Sequence, residues 1–203
     1  MELILASASP RRKELLEQIG LKARILVPQV DESRVSASAP ASLTMELAQL
    51  KAKDVVARYD WSQGTSPRCL VLAADTVVAF QGQMLGKPGD EGEAIGMLQT
   101  LQGQTHEVVT GVCLLAAEQG VVQTTSVWAE TTRVTFRDLT PAEIAAYVKT
   151  GEPYDKAGAY GIQGRAAAFV SGVEGCYFNV VGLPLGSLCQ RLNELGLPPW
   201  RQW

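Results

Sequence analysis

The most apolar run in the chain is 70–80, Leu-Val-Leu-Ala-Ala-Asp-Thr-Val-Val-Ala-Phe, and an aspartate interrupts it. A run of this kind reads as a strand covered on both faces, which requires packed layers on either side. An ionised carboxylate there is costly unless it is paired or holds a metal. Such groups tend to stand at strand ends that a ligand can reach. Asp75 and Thr76 are therefore both a folding constraint and a candidate site. A strand-edge aspartate, or one capping a neighbouring turn, is the structural alternative.

The surrounding pattern alternates strands and helices. Residues 3–6 read as a first apolar strand. Ser9 at an N-cap, Pro10 at the first helical position and Gly20 at the far end delimit a helix. A second strand is expected over 24–30, a small polar mobile loop over 36–40 and a helix over 43–59. The Ser/Gly/Pro-rich stretch 61–68 reads as a loop. Gln81-Gly82-Gln83 marks a hairpin, and Asp90 with Glu93 a variant capping box. Strands follow over 106–117 and 121–136, joined at Gln119-Gly120. Thr140-Pro141-Ala142-Glu143 starts a helix that Gly151 stops, and 184–195 forms a last amphipathic helix. The expectation is an α/β fold with a mixed sheet, in one domain spanning 1–203.

Composition narrows the function. Among 203 residues, 46% are hydrophobic and 19% charged, which supports a sizeable core and excludes disorder. The net charge of −3 is the wrong balance for nonspecific nucleic-acid binding. Any anion must be held by a local cluster. No apolar stretch approaches the roughly 20 residues that span a bilayer, so no membrane association is expected. Four cysteines without a Cys-x-x-Cys pair, and no signal peptide, read as reduced thiols in a cytoplasmic protein. The one histidine, His106, reads as a surface or hydrogen-bonded residue.

Several constellations carry possible chemistry. Ser7-Ala8-Ser9-Pro10-Arg11-Arg12-Lys13 joins a strand to a helix N-terminus, where backbone N–H groups, hydroxyls and guanidiniums suit phosphate oxygens. A plainly capped helix with solvated charges fits it equally well. Lys51 lies four residues from both Leu47 and Val55, on the apolar side of its helix, whereas Lys53 points to solvent. Lys51 either snorkels or meets an anion. Lys87 follows the hairpin in Leu85-Gly86-Lys87-Pro88. Of the neighbours Asp31 and Glu32, only one can face a given cleft from an extended chain. The segment 152–164 is dense in glycine, charge and aromatic residues, and Gln163 offers a base edge both a donor and an acceptor.

Taken in order, Ser7-x-Ser9-Pro10-Arg11-Arg12-x-Glu14-Leu15-Leu16, Ala74-Asp75-Thr76-Val77, Gly86-Lys87-Pro88, 155–164 and 179–184 resemble the Maf family of nucleoside triphosphate pyrophosphatases. The resemblance runs from Leu3 to about Leu195. It implies a long mixed sheet flanked by helices, with two lobes around a central cleft, similar to the inosine triphosphatases. It implies hydrolysis between the α and β phosphates with a divalent cation, Mg²⁺ or Mn²⁺, and suggests a homodimer. Asp75 matches the family's acidic catalytic position, with Lys51 and Lys87 beside it as catalytic cations. Ser7, Arg11 and Arg12 match phosphate-facing positions, and Glu32 with Asp75 the metal side.

Arg11, Thr76 and Gln163 resemble the group acting on dTTP, UTP and modified uridine nucleotides, which implies house-cleaning of the nucleotide pool. The sister group, similar to 7-methyl-GTP pyrophosphatases, differs at these positions. Maf-like proteins are also linked to cell-division arrest, so a nucleotide-binding regulator without turnover is the rival reading. A phosphotransferase is disfavoured, because the chain lacks Gly-x-x-x-x-Gly-Lys-[Ser/Thr].

Overall fold

The computed structural model describes residues 1–62 and 66–202. Part of the loop expected over 61–68, residues 63–65, and the final residue of the 1–203 span therefore lie outside the described residues. The strands are β1 (Glu2–Ala6), β2 (Arg24–Ile25), β3 (Arg68–Phe80), β4 (Gln83–Leu85), β5 (Thr105–Glu118), β6 (Val121–Phe136) and β7 (Val170–Glu174). The helices are α1 (Pro10–Gln18), α2 (Pro40–Arg58), α3 (Glu91–Leu101), α4 (Pro141–Val148), α5 (Tyr177–Val181) and α6 (Leu185–Glu194). The strands form one sheet in the order β2-β1-β3-β5-β6-β7, and β4 pairs with β3. Strand β1 runs parallel to β2 and β3, while β3–β4 and β6–β7 are antiparallel, so the sheet is mixed as expected. Among the described residues no helix is long and apolar enough to cross a membrane.

The chain divides into two compact units, one of 1–75, 110–130 and 182–203, the other of 76–109 and 131–181. In the first, alternate residues of three strands make one buried face: Ile4 and Ala6, then Cys69, Val71 and Ala73, then Cys113, Leu115 and Ala117. Helix α2 covers this face with Ala48, Ala52, Val55 and Val56. The helix can lie close because Gly111 continues the β5 side of the face. A Cβ there would stand 2.2 Å from the backbone carbonyl carbon of Thr44. The opposite-pointing Leu5, Leu70, Leu72, Val112 and Leu114 are buried too, which is the two-sided burial that the apolar run demands.

Two expectations need correction in this unit. The strand expected over 24–30 pairs only at Arg24 and Ile25. Beyond them, side chains take the backbone groups that a ladder would use: Arg58 Nη2 donates to Val27 O at 2.8 Å, and Gln29 N donates to Asp54 Oδ2 at 2.8 Å. Helix α2 begins at Pro40, earlier than residue 43, because proline occupies its first turn without losing a bond. The hairpin readings are borne out. Gln81 and Gly82 (φ 49° and 78°) join β3 to β4, and Gln119 and Gly120 (φ 48° and 84°) join β5 to β6. Positive φ at both central residues is the type I′ geometry that matches strand twist.

The second unit gathers an aromatic core. Phe136 packs edge-on against Tyr160 at 4.7 Å and His106 at 4.9 Å, and Tyr147 meets Phe169 at 5.1 Å. Helix α3 carries the expected cap, with Glu93 N donating to Asp90 Oδ1, and α4 has the full Thr140–Glu143 capping box. His106 is hydrogen-bonded, Nε2 to Tyr160 Oη at 2.8 Å, but it is buried instead of superficial. Its Nδ1 has no hydrogen-bond partner among the described residues. Burial pushes the imidazole down to about 4.

Two measurements test this packing. Gly111→Ala should cost about 3 kcal/mol or more, the upper end of overpacking, because the obstacle is backbone; an unchanged denaturation midpoint would contradict the contact. The single histidine should titrate by NMR near pH 4. Between pH 6.5 and 4 the unfolded chain binds the proton that the folded chain refuses, so stability falls as pH falls through this window. A midpoint near 6.5 would place His106 in water.

Candidate active site

Strand β3 and helix α2 build the centre of the site from the packing just described. Along β3 the face that α2 covers holds Val71, Ala73 and then Asp75. Along α2, Leu47, Ala48, Lys51, Ala52 and Val55 form one buried stripe. A lysine in that stripe cannot reach solvent easily, and Lys51 is only 8% exposed. Its ammonium donates to Asp75 Oδ1 at 2.6 Å and lies 2.9 Å from Glu32 Oε1. One cation is thus shared by two carboxylates. The buried pair with Asp75 resolves the cost of a charge in the apolar strand, with a short charge-assisted bond. Lys53 is exposed, as the helical phase predicts.

Glu32 sits on a 3-10 turn of 32–34, after the segment that Arg58 and Asp54 hold against α2. Its neighbour Asp31 turns the other way. Asp31 Oδ1 accepts from Ser33 N and Ser33 Oγ, and Oδ2 accepts from Arg34 Nε. Those bonds, Ser33's first, hold the Asp31 carboxyl below its usual range. Only one of the adjacent acids therefore points to Lys51, and it is the turn, not an extended chain, that separates them.

The turn from β1 into α1 is the second component. Ser9 occupies the N-cap, yet its side chain caps nothing; its own N–H donates to Ser7 Oγ at 3.1 Å. Ser7 is buried, and Arg12 Nη1 also donates to its hydroxyl, at 3.4 Å. Arg12 Nε donates to Gly182 O at 2.9 Å, which fixes the plane of the guanidinium. Burial lowers the Arg12 pKa, Asp75 raises it, Arg11 lowers it and Glu32 raises it. Arg12 therefore feels the same two carboxylates that Lys51 binds. Arg11 is half-buried in the first turn of α1.

Ser7, Arg11, Arg12, Glu32, Lys51 and Asp75 all belong to the first unit. Thr76, Lys87 and Gln163 belong to the second, and the boundary falls between Asp75 and Thr76 within β3. Within the second unit the loops carrying Lys87 and Gln163 are tied together. Gly158 N donates to Gly86 O at 3.0 Å. Gly158 adopts φ +67°, and a Cβ there would stand 2.8 Å from Val78 Cγ2, so only glycine lets this loop seat against β3. Lys87 and Gln163 are exposed.

Sequence reasoning gave no individual role to Glu152 or Asn179. Asn179 is fully buried, and its Nδ2 donates to Val108 O and Thr132 Oγ1, which ties α5 to β5 and β6. The signal for Glu152 was the unexplained pair Gly161 and Gly164. Lys156 donates to Glu152 O at 2.7 Å and Asp155 Oδ1 at 2.5 Å, which orders its loop. Cys176 and the other three cysteines are free thiols.

The donors suit a hard divalent cation of limited demand. Among the described residues no three His, Cys, Asp or Glu side chains cluster as a metal cage. Two carboxylates sharing one ammonium do suit Mg²⁺, which keeps several waters and takes one or two carboxylates plus substrate phosphates.

A dTTP/UTP pyrophosphatase of Symbiobacterium thermophilum is 49% identical over 97% of this chain and 95% of its own. One from Pelotomaculum thermopropionicum is 49% identical over 96% and 97%. A solved dITP/XTP pyrophosphatase of Mycobacterium abscessus is 13% identical, with a TM-score of 0.36 over 74% of this chain and 95% of that one. The family model described as Maf-like protein matches residues 2–195, and this chain belongs to the Maf family.

Proposed function

We propose that this protein hydrolyses nucleoside triphosphates, dTTP and UTP foremost, to the monophosphate and pyrophosphate. The observation that carries the reading is the Lys51 ammonium bound between Glu32 and Asp75, in the field of an anchored Arg12. The name shared by its full-length relatives supports the substrate.

A triphosphate carries about four negative charges near neutral pH, and these repel an attacking oxygen. Arg11 and Arg12 at the start of α1, with Lys51 and Lys87, are the cations that offset this charge. Ser7 and the first N–H groups of α1 offer neutral donors to phosphate oxygens. Arg12 enters the reaction already oriented by Gly182 O, so little reorganisation accompanies binding. Asp75 Oδ1 is engaged by Lys51, and its other oxygen either takes the proton from the attacking water or helps to hold the metal that makes that water more acidic. The water oxygen bonds to phosphorus while the α–β bridging bond breaks and pyrophosphate leaves. Glu32 and Asp75 would hold Mg²⁺ or Mn²⁺, which supplies charge neutralisation and a more acidic water. Thr76 and Gln163 face the base in this reading, with Gln163 supplying both donor and acceptor.

The test is pyrophosphate release from a panel of nucleoside triphosphates with Mg²⁺ or Mn²⁺. We expect turnover of dTTP and UTP that EDTA abolishes. Asp75→Asn should lower kcat by at least about 100-fold, the scale of a lost general base. Full activity of that variant would remove Asp75 from the chemistry. Preference for a methylated guanine nucleotide would reassign the specificity, and no pyrophosphate from any substrate would favour the nucleotide-binding regulator.

A further inference from the structure

We propose that Glu152 is a positioning residue: its carboxylate sets the backbone that presents Gln163, and through it the preference for uracil and thymine over cytosine. This rests on the reading of Gln163 as base-facing.

Gln163 is exposed, but the chain on both sides of it is held. On one side is Gly164, where a Cβ would fall 1.9 Å from Glu152 Oε1. On the other is Gly161, where a Cβ would fall 2.4 Å from Lys156 Cε. Gly164 has φ −97°, and Gly161 is not among the glycines with positive φ, so neither is glycine for its conformational freedom. What excludes a side chain at each is the neighbour packed against it. At Gly164 that neighbour is the Glu152 carboxylate itself. At Gly161 it is the Lys156 stem, whose ammonium donates to the Glu152 carbonyl oxygen at 2.7 Å.

Hydrogen bonds complete the clamp. Glu152 Oε1 accepts from Tyr147 Oη at 3.1 Å, and the same hydroxyl accepts from Gly161 N at 3.3 Å. Glu152 Oε2 accepts from Arg165 N at 3.2 Å. One carboxylate, 15% exposed, therefore reaches the residues two before and two after Gln163, directly or through one hydroxyl. The Arg165 guanidinium, at 3.7 Å and 73% exposed, adds little to this.

The chemical consequence follows from the carboxamide. Uracil and thymine present a carbonyl acceptor beside an N–H donor, and cytosine presents the reverse. A glutamine on a drifting backbone can serve either pattern. A fixed backbone sets the position from which the carboxamide meets the base edge, and a base whose donors and acceptors do not match it there leaves polar groups unpaired.

The test compares kcat and KM for dTTP, UTP and CTP in the full chain and in Glu152→Ala, Glu152→Gln, Gly164→Ala and Gln163→Ala. We expect Glu152→Ala to raise KM for dTTP and to lower the dTTP/CTP ratio of kcat/KM, each about tenfold, with kcat less affected. Glu152→Gln keeps the length and one acceptor and should retain part of the preference. Gly164→Ala should reproduce the loss alone, yet add little to Glu152→Ala, because the atom it strikes is gone. If Glu152→Ala does not fold, the Gln and Gly164 variants still read the ratio. A lower melting temperature with an unchanged ratio and KM in these variants would overturn the proposal. Loss of preference in Gln163→Ala but not in the Glu152 variants would overturn this inference alone. An unchanged preference in Gln163→Ala would overturn the reading of Gln163 and this inference with it.

Discussion

The bond between Lys51 and Asp75 is the constraint around which the first unit is arranged. A carboxylate within an apolar strand needs a cation that arrives from inside the protein, and a helix stripe is the means of delivering one. That stripe has to lie flat on the sheet, which in turn needs small residues where the two surfaces meet. Ala48, Ala52, Ala73 and the bare Gly111 provide this. The chemistry and the packing are therefore one problem with one solution. The lysine is placed by the same residues that bury the helix.

Much of this was legible in the sequence because it rests on local rules. The type I′ tips at Gln81-Gly82 and Gln119-Gly120, the Thr140–Glu143 box and the phase of Lys51 against Leu47 and Val55 are each fixed within a few residues. The parts that sequence reading placed wrongly or left blank depend on distant partners. The strand expected from Arg24 onward stops after Ile25 because Asp54 and Arg58, on α2, capture its backbone. Ser9 stands at the cap position, but its side chain makes no capping bond, and its own N–H is turned to the Ser7 hydroxyl. His106 read as either superficial or hydrogen-bonded, and the sequence nearby does not announce Phe136 and Tyr160, the partners that make it the second. Strand β7 and helix α5 lie in a glycine-rich stretch whose order comes from Thr132 and Asn179.

For the site, the residue types were legible and their division of labour was not. Asp31 and Glu32 are equivalent on paper, and only the turn geometry turns one to its own loop and the other to Lys51. Arg11 and Arg12 are likewise adjacent, and it is the carbonyl of Gly182 that singles out Arg12. In the second unit the sequence shows the glycines at 161 and 164 only as part of a glycine-dense segment. They are better understood as the imprint of Glu152 and Lys156, whose atoms fill the space that side chains would need.

The bond from Arg12 to Gly182 spans 170 residues of sequence. A chain emerging from the ribosome has β1, α1, α2 and β3 long before it has the acceptor that orients this arginine. Contacts of such separation form late, because the loop they close is long. The anion-facing turn is therefore shaped only after residue 182 has been made. A fragment that ends before Gly182 would carry most of the charged residues of the site without the geometry to use them. In this fold the segment at Gly182 acts as a checkpoint on the turn that carries Ser7 and Arg12.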